Sequence, residues 1–412
     1  MPAVMPKAKL LQRIRTIGPG LLVTAAFIGP GTVTTATTAG AGFGYALLWA
    51  LVFAIVATIV LQEMAARLGL ISGQGLGEAI RTTFTWPLAR LAACGLIVVA
   101  IGFGNAAYQT GNVTGSAVGL EILTGIPVAT WSWLVGGVAG VLLFSGAYRV
   151  LQAGLIAMVI GMSAAFVVTA VLVRPDPAAA ISGAFIPRVP PGSLTAIVAL
   201  IGTTIVPYNL FLHASSVRQH WPAEVPGDQA LAESRFDTVL AIIIGGMITA
   251  AILVTAAAAF YPSYGQVTPV EMARQLSPSL GSSAATVLFS LGLLAAGLTS
   301  AVTAPLAAGF AVAGALGWPA ELASWRVRGV SLAVLLTGTI LAASLGRSPT
   351  ETIVIAQVAN GLLLPLVAIF LLIAVNRRSV LGRYANGWPA NLAGAAVVAI
   401  TTALAVWKLA TL

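Results

Sequence analysis

Two short strings carry the first chemical signal: Gly29-Pro30-Gly31-Thr32 and Val206-Pro207-Tyr208-Asn209. Each interrupts an apolar run near its middle, LLVTAAFIGPGTVTTATTAGAG in one case and LTAIVALIGTTIVPYNLFLHASSV in the other. Proline removes a backbone donor and clashes with the preceding turn. Flanking glycine lowers helix propensity further. In lipid the freed backbone groups must find partners, so such a break is either a simple kink or the lining of a polar cavity. A cavity of that kind binds a small solute or ion, and the nearby side chains decide which. Thr32, Tyr208 and Asn209 sit at the breaks, and Gln357 with Asn360 occupies another apolar run at a spacing of one helix face.

Other polar positions have two readings each. Asn105, Gln109 and Asn112 share one helix face and either line a pathway or bond between helices. His213 is the imidazole inside an apolar run, since His220 falls in a loop. It is either a coupling group or a hydrogen-bonded packing residue. A flat pH dependence of uptake, unchanged in His213→Ala, excludes the coupling role. Thr32, Thr35 and Thr38 form a hydroxyl stripe that faces solute or bonds back to its own helix. Thr299 and Ser300 are further pathway candidates. Gly111, Gly115 and Gly119 read as close helix packing. Glu63 and Arg67, four apart, read as a structural ion pair, and Asp237 could pair with Arg235 or with the arginines before span 9.

These residues need a membrane scaffold. Of 412 residues, 58% are hydrophobic and 8% charged, and the mean hydropathy is +0.99. Soluble chains carry roughly 25% charged residues. A soluble, disordered or secreted disulfide-rich protein is therefore excluded. The lone Cys94 excludes an intrachain disulfide and thiolate clusters.

Apolar runs predict eleven spans, at 17–42, 45–66, 88–120, 129–148, 151–173, 193–217, 236–260, 282–315, 328–345, 352–376 and 390–411. The first reads as an uncleaved span rather than a signal peptide. With the N-terminus inside, 15 of the 20 Lys and Arg residues fall on the inner side, so the net charge of +9 reflects topology and not nucleic-acid binding. The inner set is Lys7, Lys9, Arg13, Arg15, Arg67, Arg81, Arg90, Arg149, Arg218, Arg235, Arg326, Arg328, Arg377, Arg378 and Arg383. The outer set is Arg174, Arg188, Arg274, Arg347 and Lys408.

The breaks fall in spans 1 and 6, at matching depths. An offset of five spans makes the two segments cross in opposite directions, the mark of an inverted repeat with a site where the broken helices meet. The expected organisation is a cytoplasmic tail 1–16, a first five-helix repeat 17–173, an outer loop 174–192, a second repeat 193–376, and an eleventh helix with a short C-terminus, 377–412.

LQEMAARLGLISGQGLGEA (61–79) and FIPRVPPGSLTAIVALIGTTIVPYNLFLHAS (185–215) resemble the NRAMP divalent-metal transporters. So do LGSSAATVLFSLGLLAAGLTS (280–300) and Gln357-Val358. The resemblance runs through spans 1 to 10. It implies an all-α integral membrane protein of the LeuT-type fold, two inverted five-helix repeats plus an eleventh transmembrane helix, working by alternating access. The family's Asp-Pro-Gly-Asn in span 1 is Gly29-Pro30-Gly31-Thr32 here, and its Met-Pro-His in span 6 is Val206-Pro207-Tyr208. The family's acidic positions in span 3 fall on Gln109 and Asn112.

The eleven acids, Glu224 among them, all fall in loops or near helix ends, so no carboxylate is expected at mid-membrane. Bringing a dication there without charged ligands carries a heavy desolvation cost. The inner halves of spans 1 and 6 are expected to begin near Gly31–Thr32 and Tyr208–Asn209, with helix N-termini that favour negative charge. The sequence reading is therefore a secondary transporter for a small neutral, zwitterionic or anionic solute. Its substrate site is Gly29, Gly31, Thr32, Val206, Tyr208, Asn209, Gln357 and Asn360, with Gln109, Asn112 and His213 on the pathway or in coupling. The alternative is a divalent cation carrier, of magnesium or manganese type, as in the rest of the family. A non-transporting sensor fits less well, as no signalling domain follows span 11. No enzyme, cofactor, resident metal or nucleic-acid partner is expected; the lipid bilayer is, in a bacterial inner membrane with the C-terminus outside.

Overall fold

The computed structural model describes residues 28–145, 148–221, 225, 227–262, 267–321, 324–345 and 348–411. The tail 1–16, the first half of span 1, Glu224 and Arg347 lie outside these residues, as does the side chain of Arg149. Lys7, Lys9, Arg13 and Arg15 belong to that tail.

Helix boundaries follow proline and glycine. Pro30 opens α1 (Pro30–Phe43), Pro87 opens α4 (Pro87–Thr124) and Pro207 opens α9 (Pro207–His220). Proline fits a first turn because its missing N–H has no intrahelical partner there. Gly73 ends α2 (Leu48–Ser72) and Gly125 ends α4, both at left-handed φ where a side chain would be strained. Between α2 and α4 lies the short α3 (Leu76–Thr83). The first half continues with α5 (Val128–Ser145), α6 (Tyr148–Leu172) and the connecting α7 (Pro177–Phe185). The second half begins with α8 (Leu194–Thr204) and α9, which together make span 6. It then runs through α10 (Gly227–Phe260), the short α11 (Pro269–Arg274) and α12 (Ser277–Leu280), α13 (Ser282–Leu316), α14 (Trp325–Leu345) and α15 (Pro349–Val375). After α16 (Arg378–Leu381) and a 3₁₀ turn (Gly382–Tyr384), α17 (Trp388–Ala410) adds the last span.

Every regular element among the described residues is helical. Among the described residues ten segments are long and apolar enough to cross a membrane, with α8 and α9 counted as one. They correspond to expected spans 2 to 11, and α1 is the described part of expected span 1. The boundaries differ most at α2, which runs to Ser72 rather than 66, and at α10, which begins at Gly227 rather than 236, because hydropathy marks where lipid ends rather than where the helix ends. The loop expected over 174–192 contains α7, capped by Asp176, whose carboxylate accepts from the amides of Ala178 and Ala179.

The packing has the symmetry of an inverted repeat. Span 1 lies on span 7 as span 6 lies on span 2, through α1–α10 and α9–α2. Span 5 lies on span 8 as span 10 lies on span 3, through α6–α13 and α15–α4. Glycine permits these close crossings. A Cβ on Gly40 would strike the Leu253 carbonyl, and one on Gly69 would strike the Ala214 carbonyl. The span 3 glycines also pack closely: Gly115 against Pro30, Gly119 against the Ser290 carbonyl.

Candidate functional site

The site is built from chain interruptions. At Gly29 the backbone is extended (φ −108°, ψ −177°) and offers no side-chain cap to α1. At Val206 it is again extended (φ −78°, ψ 119°), and α9 also starts without a side-chain cap. Both helices therefore point uncapped N-termini into the break, where the first turns carry partial positive charge. The C-terminal carbonyls of α8 supply the opposite partial charge beside them.

The two N-termini do not both lead inward, as expected from the sequence. The far end of α1 reaches the face of the 174–192 connection, where Gly183 abuts Tyr45 and the Trp49 indole donates to the Arg188 carbonyl (2.8 Å). The far end of α9 reaches the opposite face, where Arg218 lies beside Gly73 at the end of α2. The correction follows from antiparallel crossing: the segment after each break must run to opposite sides.

All eight residues expected at the substrate site are buried at this junction. Gln357 of α15 lies against Gly31, where an added Cβ would overlap its amide nitrogen and carbon. Its Oε1 and Nε2 are both buried without a hydrogen-bond partner among the described residues. Thr32 meets Thr203 of α8, hydroxyl to hydroxyl at 3.0 Å. The Oδ1 of Asn209 and the Nδ2 of Asn360 are likewise buried without partners among the described residues. Gly29 faces Ser300 and Tyr108; a Cβ there would lie 3.3 Å from Ser300 Oγ and 3.8 Å from Tyr108 Oη. Tyr108 and Tyr208 stack edge to face, with centroids 5.3 Å apart. Tyr108 was missed in the sequence reading; its signal was a phenol in mid-span one position before Gln109.

The remaining polar candidates divide. Gln109 donates to the Ala301 carbonyl (3.0 Å), Asn105 to the Ala304 carbonyl (3.1 Å), and Asn112 to Gln109 Oε1 (3.4 Å). This ladder sits in the seam between α4 and α13. His213 lies on α9 six residues past Pro207, and its Nδ1 donates to Gln62 Oε1 of α2 (2.6 Å) while Nε2 has no partner among the described residues. Thr38 bonds back to the Thr34 carbonyl (2.7 Å) and contributes nothing to the junction. Glu63 and Arg67 form the expected pair (3.1 Å), and Arg235 binds Glu63 as well (2.7 Å).

No group of three or more His, Cys, Asp or Glu able to hold a metal exists among the described residues. The junction presents neutral oxygen and nitrogen donors framed by helix termini. Broken helices at the meeting point of two inverted repeats define a membrane transporter that binds its cargo between those repeats.

Comparison with known proteins narrows the class. The family model for natural resistance-associated macrophage protein-like (Nramp) sequences matches residues 20–411. The divalent metal cation transporter MntH of Xylella fastidiosa (strain Temecula1) is 33% identical over 380 residues, covering 89% of this chain and 78% of that relative. A crystal structure of the Eremococcus coleocola manganese transporter, bound to an aromatic bis-isothiourea compound, superposes with a TM-score of 0.80 at 20% identity, covering 99% of this chain and 89% of the other. The inward-facing conformation of Mhp1 superposes with a TM-score of 0.55 at 16% identity, covering 96% and 91%. The chain belongs to the NRAMP family.

Proposed function

We propose that this protein carries a divalent metal cation across a bacterial inner membrane by alternating access around the two broken helices. The observation that carries the reading is the family match over residues 20–411, together with relatives named as divalent metal cation transporters. It favours the divalent-cation alternative over the neutral, zwitterionic or anionic solute expected from the sequence, which rested on the altered motifs of spans 1, 3 and 6 and on the absence of an acid expected at mid-membrane.

The missing acid still shapes the chemistry. Gly29 supplies no carboxylate, so the cation meets the Gln357 and Asn209 side-chain oxygens, the Thr32 hydroxyl and the α8 carbonyls. Neutral oxygens compensate poorly for full dehydration of a dication. The ion therefore keeps part of its water shell, as magnesium does readily, and the neutral side chains bond those waters. Tyr208 stands where the family's imidazole would, and Val206 where its sulfur would, so ligands suited to softer metals are absent from these positions.

In this reading residues 17–173 and 193–376 are the repeats whose relative rocking exposes the site to each side. Segment 174–192 connects them outside, and 377–412 carries the added span. The distribution of basic residues supports a cytoplasmic N-terminus and an external C-terminus. Gln109 braces span 3 against span 8 beside the pathway, with Asn112 donating to it, and His213 with Gln62 is the pair best placed to couple a proton. The test is uptake by the purified protein in liposomes, with manganese, magnesium and small organic acids offered in parallel. Saturable uptake of a dication supports the proposal; uptake of the acids alone sinks it.

A further inference from the structure

A charged site lies on the face that carries most of the basic residues, away from the break. A cavity of about 480 Å³ opens between the end of α2, the start of α10, the 3₁₀ turn and the start of α17. Its charged lining is Arg67, Arg235 and Arg383 against Glu63 and Asp228, an excess of one positive charge.

The hydrogen bonds show which charges are already satisfied. Both Glu63 oxygens are taken by Arg67 and Arg235. Both Asp228 oxygens are taken, Oδ2 by Arg383 and Oδ1 by the Tyr384 hydroxyl (2.8 Å each). Arg67 is fully used, on Glu63, Asn386 and the Tyr384 carbonyl. Among the described residues Arg235 engages only Nε and Nη2, and Arg383 only Nη2. Their side chains are 52% and 72% exposed. The N–H groups that no described residue engages can meet an anion at the cavity.

The surroundings indicate what kind of anion. Arg235 stands at the foot of an outward stripe on α10, Val239, Ile243 and Met247, exposed at 37%, 41% and 63%. On α17 the exposed Trp388 and Leu392 begin a matching apolar flank. The α2 helix, packed against both α10 and α17, lies between them with Val56 exposed at its surface. The result is a lipid-facing trough with a basic foot at the membrane interface. Aromatic side chains such as Trp388 are suited to that depth, and basic pockets between helices there bind acidic head groups.

We propose that this cavity holds the phosphodiester head group of an anionic membrane phospholipid, with the acyl chains along the α10–α2–α17 trough. One phosphodiester charge neutralises the excess. Arg235 and Arg383 donate to the phosphate, while Arg67 and Glu63 fix the floor.

The experiment uses the full-length protein, delipidated in detergent, and follows thermal unfolding against added short-chain phosphatidylglycerol, phosphatidylcholine or inorganic phosphate. Phosphatidylglycerol is expected to raise the midpoint saturably, more than phosphatidylcholine, with an effect that weakens in salt. Arg235→Gln combined with Arg383→Gln is expected to weaken apparent affinity about thirty-fold, at about 1 kcal/mol per basic residue. Arg383→Gln alone, at an exposed side chain, tests the site without threatening the fold and should cost about five-fold. Arg326→Gln, on the same face but held over Trp318 and Trp325, should leave lipid affinity unchanged. Equal effects of the two lipids, or undiminished phosphatidylglycerol binding in Arg383→Gln and the double variant, overturn the proposal. Full reproduction of the effect by inorganic phosphate overturns the lipid assignment.

Discussion

The amide of Gln357 lies against the bare Cα of Gly31, in the first turn of α1, so closely that a methyl group on Gly31 would overlap it. The contact brings span 10 onto the break in span 1. It also leaves a buried amide with neither end bonded among the described residues. Leaving such a group unsatisfied costs about 1–3 kcal/mol, which a bound ion and its waters would recover.

Gly31→Ala is expected to push the Gln357 amide out of place. Overpacking of this sort costs about 1–3 kcal/mol of stability. Transport should suffer more, with initial uptake falling at least about ten-fold while the protein still folds, since a misplaced ligand weakens binding of the moving ion. Parallel uptake and thermal-unfolding assays check this. Unchanged uptake would remove Gln357 from the site.

Gly29→Asp should restore a fixed negative charge. The extended backbone at Gly29 accepts any side chain. A carboxylate there would have Ser300 and Tyr108 hydroxyls close by and the α1 N-terminus to stabilise it. Manganese affinity, measured by calorimetry, should rise by at least about ten-fold, equivalent to about 1.4 kcal/mol. No change would mean that the ion binds elsewhere.

Gly69→Ala tests the crossing that sets the angle of α9. The added methyl would meet the Ala214 carbonyl, which is backbone and cannot rotate away. A destabilisation of about 1–3 kcal/mol is expected, read as a lower unfolding midpoint. The equivalent Gly40→Ala at the Leu253 carbonyl should behave alike, since the repeat relates the two crossings.

Acid should loosen the turn before α13. Thr268 and Glu271 form a capping box at the start of α11, and its hydrogen bonds, first the Thr268 hydroxyl and then the Thr268 backbone amide, hold the Glu271 pKa below its ordinary 4.5. A lowered folded value means that the stabilisation is complete above 4.5 and is lost as pH falls through the folded value. Glu271→Gln should flatten this part of the pH dependence of unfolding. Thr268→Ala should cost about 1 kcal/mol at neutral pH. An identical acid limb in Glu271→Gln would exclude the linkage.

The spans and breaks were legible because lipid imposes long apolar runs and makes Pro30 and Pro207 conspicuous. The inverted repeat was legible because two breaks five spans apart must run in opposite directions. Side-chain partners were not. Gln109 and Asn105 could have faced a cavity or a neighbour, and only packing shows that they donate to Ala301 and Ala304. The contact of Gly31 with Gln357 joins residues more than three hundred positions apart, which no local pattern encodes. The start of α10 was misjudged because its first turns, Asp228 to Arg235, are helical but polar. The substrate was not legible in this way, because the altered motifs in spans 1, 3 and 6 point to a carboxylate-free site while the rest of the chain keeps the family pattern.

A site without carboxylates is expected to move a dication. Uptake of manganese and magnesium into liposomes by the purified protein, with Gln357→Ala as control, tests it most directly. Saturable uptake of at least one of these ions is expected, lost in Gln357→Ala and enhanced for manganese in Gly29→Asp. Transport of small organic acids with no dication flux would contradict it.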